Sequence, residues 1–160
     1  MVDRKALLES YRKGYNLLKE ALVGTPDEAW HFKPASDQWS IHEIIIHIAD
    51  SEVNGYIRLR KILAENGTTV SAYNQDAWTN TLHYNEQDIH EFLELFNHLR
   101  QINYRLLNRI EDSRWENFIV HPESGMVKLE DWLRNYDNHI YTHINQIKRN
   151  INVWKESARK

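Results

Sequence analysis

Two histidines four residues apart, His139 and His143, stand in the run Asp137-Asn138-His139-Ile140-Tyr141-Thr142-His143. On an α-helix that offset turns a side chain by about 40° and raises it by about 6 Å, so both imidazoles lean over one strip of surface. A helix uses this spacing to offer two nitrogen ligands to one metal ion. With nine histidines in 160 residues, such a pair is weak evidence by itself. Its neighbours strengthen it. Trp132, Tyr136, His139, His143 and Gln146 or Ile147 share a stripe flanked by Ile140 and Ile144, which places the pair on an interior face. A buried imidazole needs partners for both ring nitrogens. A shared metal supplies one to each ring; the alternative is that each bonds a tyrosine, asparagine or carboxylate across the core.

A third histidine sits in the apolar run Ile44-Ile45-Ile46-His47-Ile48-Ala49. A helix apolar on most sides is buried. His47 shares a polar stripe with Ser40, Glu43, Asp50, Ser51 and Asn54, which either meets water or lines a polar cavity. It is either a satisfied core histidine or the third ligand that the pair lacks. Three neutral imidazoles from two helices make a facial set with open positions, suited to one divalent transition metal: zinc or nickel first, iron or manganese next. Such an ion acidifies a coordinated water or thiol, or polarises a substrate oxygen. Glu43 and Asp50, one turn to either side of His47, are candidates for orienting an imidazole or moving a proton. Glu43 has a competing structural role as a helix cap. His42 and His47 are five residues apart, about 140° around a helix, so they diverge and make no metalloprotease pair. His42 is read as exposed near the helix start. His31, His83, His90, His98 and His121 lack a partner at ligand spacing and are assigned to surface or packing roles.

Four long segments must position these residues. Only 5 glycines and 3 prolines occur, which suits long helices with few tight turns. Residues 3–23 carry Leu7, Leu8, Tyr11, Tyr15, Leu18 and Leu22 at the three-and-four spacing of an amphipathic helix, ended by Gly24-Thr25-Pro26. Ser40-Ile41-His42-Glu43 is a capping-box pattern that opens a second helix, running to about residue 65 and stopping at Asn66-Gly67. A third helix is expected over about 85–111, with Ile89, Phe92, Leu93, Phe96, Leu99, Ile102, Leu106 and Ile110 on one face. A fourth is expected over about 128–154. No strand pattern of comparable strength appears, and no internal repeat. The fold class is therefore all-α, a four-helix bundle. The connections over 66–84 and 112–127 exceed a minimal antiparallel turn, which favours long crossover loops. Trp78, in the first of them, either lids one end of the bundle or caps the core.

Composition bounds the function. The length fits a single domain over residues 1–160, and 41% hydrophobic with 27% charged residues reads as globular. A net charge of −3 and the lack of a Lys/Arg cluster give no footprint for nucleic acid. With no cysteine, disulfides, thiolate ligands and a cysteine nucleophile are excluded. The charged start Met1-Val2-Asp3-Arg4-Lys5 is unlike a secretory signal, and the run around Ile44-Ile45-Ile46 is too short for a bilayer. A cytoplasmic, membrane-free protein is expected.

Trp39-Ser40-x-x-Glu43-x-x-x-His47-Ile48-x-Asp50-x-Glu52, preceded by Pro34 and followed by His139-x-x-x-His143-x-x-x-Ile147, resembles the DinB/YfiT-like superfamily over nearly the whole chain. The resemblance implies a bundle in up-down-down-up order and a metal held at His47, His139 and His143, often in a homodimer. It also implies activities ranging from metal-dependent hydrolysis to transfer or isomerisation with low-molecular-weight thiols such as bacillithiol or mycothiol. Members often carry a histidine directly before the last ligand; here Thr142 stands there. The reading that results is a metal-dependent enzyme in which a small thiol or water attacks an electrophilic small molecule. The alternatives are a non-catalytic metal-binding or stress-related interaction protein, and a bundle whose histidines merely pack.

Overall fold

The computed structural model describes residues 3–159. Helix α1 spans Arg4–Leu22, with the Asp3 carboxylate accepting from the amides of Lys5 and Ala6. Helix α2 spans Ile41–Ala64 and opens with the expected capping box between Ser40 and Glu43. Its first two turns are buried all round: Ile41, Ile44, Ile45, Ile46 and Ile48 are each at most 1% exposed. Helix α4 spans Ile89–Leu107, capped by Asp88, and α5 spans Leu129–Ser157.

Side-chain pairs give the directions. Arg4 meets Glu130 and Ser10 meets Asp137, so α1 and α5 run parallel. Tyr15 meets Glu94 while Glu9 meets Tyr104, so α4 opposes α1. Glu52 meets Arg100 and Arg60 meets Asn103, so α2 runs with α4. The order is up, down, down, up, as the resemblance implied.

The core has two apolar clusters, one around Ile44, Phe96 and Ile140, the other around Leu59, Leu107 and Trp132. Between them along α2 and α4 lies a buried polar knot. The Arg100 Nε donates to Glu52 at 2.9 Å, and its remaining nitrogens donate to the carbonyls of Tyr11 at 2.9 Å and Tyr136 at 2.5 Å. The Tyr11 hydroxyl donates to the other Glu52 oxygen. Gly14 leaves room for this guanidinium: a Cβ there would lie 2.8 Å from an Arg100 nitrogen.

Two expectations need correction. The third helix starts at Ile89 and not at residue 85, because Tyr84–Glu86 forms a 3₁₀ turn and Asp88 supplies the cap. The chain also contains an antiparallel hairpin, β1 (Phe118–His121) and β2 (Gly125–Lys128), where no strand was expected. Strands of four residues are too short for their alternation to stand out from a loop. The loop after α2 joins this hairpin: Val70 donates to the Val120 carbonyl at 3.0 Å and Val120 to the Thr68 carbonyl at 2.9 Å. The same loop contains a further short helix, α3 (Gln75–Thr81), capped by Asn74. The two long connections therefore hold each other beside the bundle.

Candidate metal centre

Helices α2 and α5 bring His47, His139 and His143 together. Each offers one ring nitrogen, and these atoms all lie within 4.8 Å of one another. The His139 Nε2 stands 3.2 Å from that of His47 and 2.9 Å from that of His143. Nitrogens bound to one zinc ion at about 2.0–2.1 Å would be spaced about 3 Å apart, so the two pairs that share His139 are already at ligand spacing, and His47 and His143 lie within 4.8 Å of each other. His47 and His143 are 1% and 6% exposed. The Trp39 ring packs on His47 at 4.6 Å and covers the His143 side at 6.5 Å. Asn150 fixes that tryptophan by donating to its carbonyl at 2.8 Å.

Electrostatics keep all three rings neutral, the state a metal requires. Burial, with the neighbouring His143 second, pushes His47 down to about 3. Burial, the two other histidines and Arg100 push His139 down to about 2. Burial also lowers His143, against the raising effect of its bond to Gln146.

Two-centre hydrogen bonds cannot satisfy this cluster. The His143 Nδ1 donates to Gln146 Oε1 at 2.7 Å, so the Nε2 of neutral His143 carries a lone pair. A proton on His139 Nε2 would satisfy that lone pair but remove the acceptor facing His47. A lone pair there would accept from His47 but face the lone pair of His143. His47 gains nothing elsewhere, since its Nδ1 is buried without a partner. A cation among the three Nε2 atoms resolves the conflict, so the residues fit a divalent metal.

A cavity of about 700 Å³ opens beside the cluster, with His139 in its wall. That is the size of a small-molecule site. Ser51 and Arg58 of α2, Tyr73 of the loop, Ile119 of β1, and Trp132 and Tyr136 of α5 also line it. Trp78, expected as a lid or a core cap, packs on the Tyr73 ring at 4.7 Å and so backs a cavity wall.

The carboxylates flanking His47 are engaged elsewhere. Glu43 accepts from the Ser40 amide at 2.8 Å and Asn85 at 2.9 Å, and pairs with Lys33 at 2.7 Å. Asp50 accepts from the Tyr84 hydroxyl at 2.5 Å. Among the described residues neither is hydrogen-bonded to an imidazole of the cluster. His42, expected to be exposed, is buried: its Nε2 lies 2.9 Å from the Gln87 carbonyl and its ring stacks on His31 at 4.6 Å. The second helix begins beneath the 84–88 segment, which its sequence position alone does not reveal. Thr142 points to solvent and bonds the Asn138 carbonyl at 3.2 Å.

Sequence reasoning left out Gln146 as the partner of His143 and Arg58 as a cavity residue. Both carried a signal: Gln146 is three residues after a ligand candidate, and Arg58 is eleven after His47, on the same helix face.

A family model described as the DinB superfamily matches residues 10–147. A protein of Oceanobacillus iheyensis, provisionally named a metal-dependent hydrolase, is 29% identical over 113 residues, covering 71% of this chain and 65% of its own length. The chain thus spans slightly under two thirds of that relative. YfiT of Bacillus subtilis, likewise provisionally named a metal-dependent hydrolase, is 27% identical over 131 residues, 81% of this chain and 74% of its own. The solved YfiT structure, described as an unusual four-helix bundle, superposes with a TM-score of 0.83 at 22% identity, covering 95% of this chain and 91% of that one. A mycothiol-dependent maleylpyruvate isomerase superposes with a TM-score of 0.71 at 10% identity, over 89% of this chain and 60% of that one. At such identities the structural likenesses speak to the fold alone. With the family model matching most of its length, the chain belongs to the DinB superfamily.

Proposed function

We propose that His47, His139 and His143 hold one divalent transition metal, zinc or nickel before iron or manganese, and that the protein is a metal-dependent enzyme. Its substrate is an electrophilic small molecule admitted to the 700 Å³ cavity, attacked by water or by a small thiol of the bacillithiol type. The observation that carries this reading is the convergence of three neutral Nε2 atoms whose lone pairs no set of two-centre hydrogen bonds satisfies. A divalent ion supplies, when bound, the Lewis acidity that makes a coordinated water or thiol nucleophilic near neutral pH.

The chain's own residues do the rest. Gln146 fixes the His143 tautomer by accepting from Nδ1. Trp39 excludes water from one side of the cluster. Tyr136 stands next to His139, ring centroids 6.4 Å apart, and faces the cavity. Burial raises its phenol well above the usual range, so it is a neutral hydrogen-bond donor to a substrate oxygen. Among the described residues no helix is long and apolar enough to cross a membrane.

The test has two stages. Untagged protein is expected to carry about one equivalent of metal by elemental analysis, and His47→Ala or His143→Ala to lose it. Loaded protein is then assayed with a panel of electrophiles, with and without small thiols. Metal content unchanged by both substitutions contradicts the site; full metal with no turnover in any combination contradicts the enzyme.

A further inference from the structure

Arg58 lies eleven residues after His47 on α2. That spacing is three helical turns plus about 20°, with a rise of about 16 Å, so both side chains leave the same helix face. Arg58 lines the cavity that His139 also lines, farther along the bundle. It is the only Lys or Arg among the lining residues. Its guanidinium is half-buried and donates to the Ser71 carbonyl at 3.0 Å. Among the described residues no carboxylate stands within 4.0 Å of it. Glu123, the one acidic residue lining the cavity, is exposed and forms no such pair. The wall between Arg58 and His139 is aromatic, with Trp132 and Tyr136 from α5 and Tyr73 from the loop opposite.

A guanidinium has five N–H donors, and this one uses few of them on the protein. A charge partly withdrawn from water and left without a counter-ion is costly, and its attraction for an incoming anion is correspondingly strong. A lone planar fork, with no lysine cluster beside it, matches a carboxylate bidentately. The guanidinium stands within hydrogen-bonding reach of the Tyr136 hydroxyl, and its field reaches His121. Burial first and Arg58 second hold the His121 imidazole below its usual range, and Arg58 opposes the burial that raises Tyr136.

We propose that the small molecule taken into this cavity carries a carboxylate received by Arg58, which leaves its reactive end toward the three imidazoles. The orientation of that end rests on the metal reading above; the preference for a carboxylate does not. Arg58 is therefore a positioning and specificity residue, remote from the reacting atoms.

The probes are 3-phenylpropionate and its neutral amide, titrated calorimetrically into wild type, Arg58→Gln and Arg58→Lys, each checked for helical content by circular dichroism. The acid is expected to bind wild type at least about tenfold tighter than the amide, a difference typical of one charge-assisted pair. Arg58→Gln should abolish the discrimination and Arg58→Lys retain part of it. The same pair of probes is titrated into His143→Ala, where the preference should persist. Equal binding of acid and amide to wild type overturns the proposal. So does a preference that survives Arg58→Gln but vanishes in His143→Ala, since the carboxylate would then sit at the imidazole cluster and only the metal reading would stand.

Discussion

At the residue scale, the decisive group is the Gln146 amide. Its oxygen receives the His143 Nδ1 proton and thereby sets which nitrogen faces the cluster. Partners of this kind commonly tune metal affinity by about 10–100-fold when removed. Gln146→Leu is accordingly expected to weaken metal binding by at least about tenfold in chelator competition, with the fold unchanged, while Gln146→Glu retains most of the affinity. The same scale shows what the sequence could and could not reveal. The i, i+4 spacing of His139 and His143 is legible because helix geometry alone brings the rings together. His47 is legible as a polar residue in an apolar run. That Glu43 turns away to Lys33 and Asn85, and that His42 is buried under the 84–88 segment, depends on loops whose path no local pattern encodes.

At the scale of elements, the cap of α2 holds His47 in place. Burial works to raise the Glu43 carboxyl, but the bonds from Lys33, the Ser40 amide and Asn85 outweigh it and hold its pKa below the usual range. A carboxyl depressed in the folded state adds stability that is fully present above its unfolded pKa of 4.5 and is lost as pH falls through the lower folded value. Glu43→Gln is expected to cost about 1–2 kcal/mol in denaturant melts at pH 7. The gap to wild type should narrow as the melts are repeated below pH 4.5. Gly55 tests the opposite side of the site. A Cβ there would stand 2.6 Å from the Tyr136 ring, so Gly55→Ala must displace that ring from the cavity wall beside His139. It should lower the affinity for 3-phenylpropionate more than it changes metal content. The four long helices were legible from capping residues and apolar spacing. Helix α3 and the hairpin were not, because seven- and four-residue elements are stabilised by contacts such as Val70 to Val120 that lie far apart in sequence.

Across the whole molecule, the Tyr11–Glu52–Arg100 knot sets how the two apolar clusters stack and therefore how α2 and α5 face each other. Glu52 and Arg100 are each 1% exposed. Removing one partner of such a pair leaves a buried charge and costs about 3–5 kcal/mol. Arg100→Leu should therefore lower stability by roughly that amount, whereas the double variant Arg100→Leu, Glu52→Leu should recover a large part of it in the same melts. Up-down-down-up order was legible only through the family resemblance. Helix periodicity gives lengths and faces, but which helices adjoin is decided by cross-chain pairs like this one. Arg100 stands at i+4 from Phe96 and seven residues before Leu107, so helical spacing puts it on the buried face, but only Glu52, far away in sequence, shows how its charge is met.

The proposed activity depends on a single ion between α2 and α5. The most direct test is an anomalous-difference map from crystals of untagged protein, recorded on both sides of the zinc and nickel absorption edges. A peak about 2.0–2.2 Å from the Nε2 atoms of His47, His139 and His143 is the predicted result. No peak there in protein supplied with both metals, with the three imidazoles bonded to one another or to ordered water, would contradict it.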